Sequence, residues 1–176
     1  YPVRIPVANG DANGGMNVIV SVQGHRGPGY SLGYNPQTGR IEGLLPRGNY
    51  LVEASTFSQN SSASGAVQLS VNGAATDGPT LTVIPNGAIE VHVVEQFTST
   101  DSQASSTWNI GGHSLRVHGP RAYLQVSAET EDDFGRRDNP RLRPPSSANE
   151  DSLVLENVAP GRYWLRLYSS RGYVAA

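Results

Sequence analysis

No stretch of twelve residues in this chain of 176 places apolar side chains at i, i+3, i+4 and i+7 without a glycine or proline interrupting it. A helix that packs on a core needs that stripe, so helices are excluded as the framework. What recurs is short alternation. Val18, Val20 and Val22 alternate with Asn17, Ile19 and Ser21, and Tyr50, Val52 and Ala54 with Leu51 and Glu53. Ile89, Val91 and Val93 alternate with Glu90 and His92, and Tyr163, Leu165 and Leu167 with Trp164, Arg166 and Tyr168. A period of two puts each set on one face of a strand. Asn-Gly, Asp-Gly, Gly-Pro and Pro-Asn-Gly punctuate the runs, supplying residues that tolerate positive φ or preset a turn. The pattern predicts an all-β chain built as sandwiches.

Two segments repeat. Arg40-Ile-Glu-Gly-Leu-Leu-Pro-Arg-Gly-Asn-Tyr50 lies over Val154-Leu-Glu-Asn-Val-Ala-Pro-Gly-Arg-Tyr163, with Ile41 on Leu155, Glu42 on Glu156, Pro46 on Pro160 and Tyr50 on Tyr163. Each reads as a hairpin: an incoming strand, a turn on Pro46 and Gly48 or on Pro160 and Gly161, and an outgoing strand whose first core residue is a tyrosine. Pro160 suits position i+1 of a type II turn and Gly161 position i+2, where φ is positive. The tyrosine ring covers the end of the core and its hydroxyl can reach a backbone partner. An opening strand, a loop and a second strand precede each copy: Val3–Val7 then Met16–Gln23, and Ala88–Gln96 then, after a long loop from Phe97 to about Pro120, Arg121–Glu129. The expected modules are therefore 1–86 and 87–176. The first continues past its tyrosine with strands near Ala66–Val71 and Pro79–Ile84; the second is expected to lack these closing strands. The start at Tyr1, with no basic, apolar leader, is the expectation for a mature product or a piece cut from a longer chain.

Composition narrows the chemistry. There is no cysteine and no lysine, which removes disulfides, thiolate nucleophiles, cysteine-bound metals, Schiff-base lysines and Walker-type phosphate loops. A formal charge of −2 gives no electrostatic case for nucleic acid, and no apolar run reaches the roughly 20 residues of a spanning helix.

The hairpin motifs Leu44-Leu45-Pro46-Arg47-Gly48-Asn49-Tyr50 and Val158-Ala159-Pro160-Gly161-Arg162-Tyr163, each behind a Val-rich strand, resemble those of carboxypeptidase regulatory-like modules. The resemblance implies tandem Ig-like, transthyretin-like (prealbumin-like) β-sandwiches. It also implies a non-catalytic structural or interaction unit of a larger exported or cell-envelope protein, extracytoplasmic and without a cofactor. The partners expected are other domains of a parent chain or another protein. Related sandwiches bind carbohydrate, which makes a glycan the alternative partner.

Candidate reactive groups are weak. Gly29-Tyr30-Ser31-Leu32-Gly33 has the spacing of a hydrolase nucleophile elbow, but Pro36 and Gly39 forbid the helix that must follow. His25, His92, His113 and His118 read as dispersed, and Asp11-Ala12-Asn13-Gly14 as a turn rather than a calcium loop. Glu129, Glu131, Asp132 and Asp133 form an acidic cluster that could offer oxygens to a cation, set against a solvated loop screened by Arg136, Arg137, Arg141 and Arg143. The expectation is no metal. For ligand binding the candidates are Trp108 and Trp164, whose rings stack on sugars or on peptide anchors alike. The competing roles are Trp108 pinning a loop and Trp164 filling a module interface.

Overall fold

The computed structural model describes residues 1–10, 15–25, 29–57, 62–96, 105–132, 134, 140–147, 150 and 152–171. Among these the chain is all-β, with one single-turn helix. It divides into two compact units. The first comprises Tyr1–Gly87 with Glu131–Asp138 and Ala159–Gly161, the second Ala88–Thr130 with Asn139–Val158 and Arg162–Ala176.

The first unit contains β1 (Pro2–Ala8), β2 (Met16–Val22), β3 (Gly33–Asn35), β4 (Arg40–Leu44), β5 (Gly48–Phe57), β6 (Ser62–Val71), β7 (Thr76–Asp77), β8 (Leu81–Thr82) and β9 (Ile84–Pro85). One sheet runs β3-β4-β1-β7, with β8 also on β1; the other runs β2-β5-β6-β9. Pro6 explains why two short strands share one side of β1. It has no N–H to give, and it falls between the parallel pairing of Val3 and Arg4 with β7 and that of Val7 and Ala8 with β8. The predicted alternation holds across the second sheet: Val20 opposes Val52 and Val52 opposes Val67, while Val22 opposes Tyr50 and Tyr50 opposes Leu69. Those rows meet Val3, Ile5, Ile41 and Leu81 from the first sheet in one buried cluster. Each such side chain removed from water contributes about 1.5–3 kcal/mol.

The Pro-Gly segment is not a hairpin. β4 pairs with β1 and β3, whereas β5 pairs with β2 and β6, so Leu45-Pro46-Arg47 carries the chain from one sheet to the other. The reason lies in the side chains. Leu45 turns into the core, and the Tyr50 hydroxyl donates to the Pro46 carbonyl at 3.0 Å, which locks a crossing instead of a reversal. Gly48 is required by proximity, not by φ: a Cβ there would stand 3.1 Å from the Tyr50 hydroxyl and 3.2 Å from its Cζ. The Tyr30 ring meets that of Tyr50 edge-on at 5.8 Å.

The second unit contains β10 (Gly87–Val91), β11 (Ser105–Ile110), β12 (His113–His118), α1 (Pro120–Tyr123), β13 (Leu124–Thr130), β14 (Arg141–Leu142), β15 (Leu153–Val158) and β16 (Tyr163–Ser169). Its sheets are β10-β15-β14, β11-β12 and β13-β16. Leu124, Val126 and Ala128 of β13 meet Leu153, Leu155 and Val158 of β15 in its core, with Ile89, Val91 and Tyr163 partly buried against them. The pairings repeat those of the first unit: β10, β15 and β14 stand as β1, β4 and β3 do, and β13 and β16 as β2 and β5 do. Here too the segment read as a hairpin crosses between sheets, since β15 and β16 have no common partner. The expected type II turn is absent: the positive φ of this segment falls on Asn157 (56°) and not on Gly161. The long loop expected before Pro120 contains a true hairpin, with Ile110 opposite His113 and the turn on Gly111 and Gly112, both at positive φ.

Replacing Tyr50 by Phe keeps the ring and removes the bond to Pro46. Urea unfolding should show a loss of about 1 kcal/mol, and Gly48→Ala, which crowds the same ring, should destabilise as well.

Candidate functional site

Arg121 organises one end of the second unit. Its place in α1 sends the guanidinium inward, where its side chain has no solvent exposure. It donates to the Arg143 carbonyl at 2.7 Å and to the Ser152 carbonyl, and stands 5.6 Å from the centre of the Trp108 ring. A buried cation needs such acceptors and a π face. Glu150 lies 3.8 Å from Arg121. It accepts from the Ser146 N–H at 2.7 Å, from the Ser146 and Ser152 hydroxyls and from Arg143. The Ser146 bonds first, and Arg143 after them, hold its carboxyl at about 2, down from an ordinary 4.5. Beside it, Tyr123 donates to Glu95 at 2.6 Å; burial first, then that bond, pushes its hydroxyl up to about 12. The charged groups of this cluster pair with one another and with backbone carbonyls, so it is an anchor for the 143–152 segment. Trp108 belongs to it: one ring face is taken by Arg121.

Trp164 is placed differently. On β16, Tyr163, Leu165 and Leu167 lie opposite Thr130, Ala128 and Val126 of β13 and share their inward face. Trp164, Arg166 and Tyr168 therefore point outward, and the two aromatic residues are 62% and 69% exposed. Alternate residues along a strand recur every 6.5 Å or so, putting Trp164 and Tyr168 about 13 Å apart with Arg166 between. The Arg166 guanidinium pairs with Glu129 at 2.8 Å. An aromatic–cation–aromatic row of this kind can stack on flat apolar surfaces and donate hydrogen bonds at its centre. The two tryptophans thus have separate roles: they lie on strands of different sheets, one in an anchor and one on an open face.

No family model, curated protein or solved structure matches this chain.

The remaining candidates disperse. Glu129 is taken up by Arg166, and Asp132 accepts from the Phe134 N–H at 3.2 Å as a local turn; Glu131 is exposed. Asp133 lies outside the described residues, as do Asp11, Asn13 and Arg136. Among the described residues no three His, Asp or Glu side chains are grouped to hold a metal ion. His92 is exposed, 3.9 Å from Glu90, and His113 and His118 sit at the two ends of β12. After Ser31 the chain enters β3, so no helix follows it. Sequence reasoning missed Arg121, whose burial no local pattern announces. It also missed Tyr168 as a companion of Trp164, although their shared parity in an alternating run was there to be used.

A depressed carboxyl stabilises the fold above its unfolded value and loses that contribution as pH falls toward its folded one. The stability difference between the natural chain and Glu150→Gln should therefore be full at pH 6 and shrink between about 4.5 and about 2, read by urea unfolding at a series of pH values. Arg121→Ala, which strips two carbonyls of their donor and Glu150 of a neighbouring charge, should cost about 3 kcal/mol at neutral pH.

Proposed function

We propose that this chain is a non-catalytic interaction scaffold of two tandem β-sandwich modules resembling the carboxypeptidase regulatory-like type, acting within a larger exported or cell-envelope protein. The observation that carries this reading is the outward row Trp164–Arg166–Tyr168. Two large aromatic side chains more than half exposed on one strand face are costly to leave in water. They sit on a strand paired to β13, whose inward residues belong to the core of the second unit, and pairing limits the reorganisation that binding requires. The strand-to-strand crossings at Pro46 and Pro160 and the repeated pairing order support the tandem-module part of the proposal.

A glycan is the second reading, favoured by the spacing of the two rings. About 13 Å along a strand spans two to three sugar rings, and Arg166 at the midpoint can donate to hydroxyls. Trp108 is the weaker contributor to this reading, since Arg121 occupies one face of its ring.

The two tryptophans make the proposal measurable. With Trp108→Phe the emission comes from Trp164 alone and should be strongly quenched by iodide; with Trp164→Phe the emission from Trp108 should be shielded. Addition of oligosaccharides to the Trp164-only chain separates the readings: a saturable shift abolished by Tyr168→Ala supports the glycan. No response to any glycan leaves a protein surface as the partner. Equal quenching of the two tryptophans would refute the exposed row on which the proposal stands.

A further inference from the structure

Asn9, Asn13, Asn72 and Asn86 each precede a glycine. An asparagine so placed can react with its own backbone, because a following residue without a Cβ leaves its nitrogen open to the side-chain carbonyl. Asn13 lies outside the described residues; the structure separates the other three. Asn86 is held by its hydrogen bonds. Its N–H donates to the Ser62 carbonyl at 2.9 Å and its Nδ2 to the Ser62 hydroxyl at 3.2 Å, while its Oδ1 accepts from the Ser64 hydroxyl. Gly10, after Asn9, is packed: a Cβ there would stand 3.1 Å from the Tyr34 hydroxyl and from Val7 Cγ1. Asn72, between β6 and β7, is exposed. Among the described residues neither its side-chain amide nor the Gly73 N–H has a hydrogen-bond partner. The peptide that joins them carries a cation instead. Arg47 Nη2 donates to the Asn72 carbonyl at 3.0 Å. The same atom stands 2.9 Å from where a Cβ on Gly73 would be, and Gly73 has a φ of 97°.

We propose that Asn72 is a self-modification site, converted without an enzyme to aspartate and isoaspartate, and that Arg47 promotes the conversion. The Gly73 N–H loses its proton to hydroxide, and the nitrogen forms a bond to Asn72 Cγ. The bond from Cγ to Nδ2 breaks, and Nδ2 leaves as ammonia with a proton taken from water. The product is a cyclic succinimide. Water then opens the ring at either carbonyl. Cleavage at Cγ gives aspartate; cleavage at the backbone carbonyl gives isoaspartate, with the chain running through the former side chain. As the N–H ionises, negative charge spreads onto the Asn72 carbonyl oxygen, which is the atom Arg47 touches. A hydrogen bond from a guanidinium favours that ionised form. The outcome is a new carboxylate in the turn that Arg47 caps. The isoaspartate form also lengthens the backbone by a methylene just before Thr76 and Asp77, which pair with Val3 and Arg4. Asp77 itself is protected from the parallel reaction, since the Gly78 N–H donates to the Arg4 carbonyl at 2.8 Å.

The test is incubation of the full chain in neutral buffer made from water enriched in the heavy oxygen isotope, followed by peptide mapping in mass spectrometry. Label enters where a side-chain amide has been hydrolysed. Compared with the chain in denaturing urea, folding should slow Asn86 at least about tenfold and leave Asn72 within about threefold of its unfolded rate. Arg47→Gln, a substitution on an exposed side chain, should slow Asn72 about fivefold and leave Asn86 unchanged. Arg47→Lys keeps the charge and should restore most of the rate, which a purely structural role would not do. Acceleration of Asn86 in the Gln variant would signal a loosened fold, and the urea comparison then decides alone. An Asn72 slowed by folding as much as Asn86 overturns the proposal, as does an equal or faster rate at Asn72 in Arg47→Gln with Asn86 still slow. So does label at Asn72 without isoaspartate, since opening of a succinimide yields both products.

Discussion

The bond from the Tyr50 hydroxyl to the Pro46 carbonyl fixes how the chain passes between sheets in the first unit. Three residues separate β4 from β5, a length that in most β proteins folds the chain back on itself. Here the ring of Tyr50 lies across Gly48 and holds the carbonyl four residues upstream, while Leu45 is drawn into the core. The two strands are thereby committed to opposite layers. A hydroxyl of this kind, reaching back from the start of a strand to the corner before it, is the device found at the tyrosine corner of immunoglobulin-like sandwiches. Its burial raises the phenol's pKa, with the nearby Tyr30 adding to the effect. Once the corner is set, the alternation of β5 places Tyr50, Val52 and Ala54 against Val3, Ile5 and Ile41, and the register of β2 and β6 follows from β5.

The second unit applies the same pairing order with different means of closure. Its core is smaller, and part of the sealing falls to Arg121, which ties the 143–152 segment by its carbonyls and receives Trp108 on its guanidinium face. A buried arginine is a poor source of net stability, because its desolvation offsets much of what its bonds return. It is a good source of geometry: five donors in a rigid fork accept few arrangements. The hairpin β11–β12, which brings Trp108 to this point, has no counterpart among the described residues of the first unit.

The strands were legible in the sequence because side-chain period is a local property. The rows Val18–Val22, Tyr50–Ala54 and Tyr163–Leu167 lie where alternation puts them. Sheet membership is not local. Leu-Leu-Pro-Arg-Gly reads equally as a hairpin turn or as an arch between layers, and only the identity of the hydrogen-bond partners, β1 for β4 and β2 for β5, decides between them. Gly161 misled because Pro-Gly has a strong preference for one turn type, while the strain was carried upstream at Asn157, a residue that also tolerates positive φ. The hairpin at Gly111-Gly112 was readable, since a Gly-Gly pair between Trp108–Ile110 and His113–Leu115 carries the required φ signs. The polar serines and threonines before it obscured the alternation. Of the candidate site, Trp164 was visible as an outward residue of an apolar run. The separation of Trp108 from it depends on a buried cation 13 residues further along the chain, which no motif encodes.

Two copies of one pairing scheme, with opposite outcomes at equivalent positions, bear on what the second is for. Side chains at 52 and 54 are small or β-branched and fully enclosed, whereas 165 and 167 are leucines left half in water. If β16 faced solvent permanently, polar residues on its inward row would stabilise the chain and suppress aggregation through its edge. The larger apolar residues stand instead at the positions where a neighbouring strand closes the first unit. Outward, the same strand carries Trp164 and Tyr168 where β5 carries Leu51 and Ser55. Both departures, inward and outward, concentrate on a single strand. The interaction role proposed for this chain would draw on both rows of that strand.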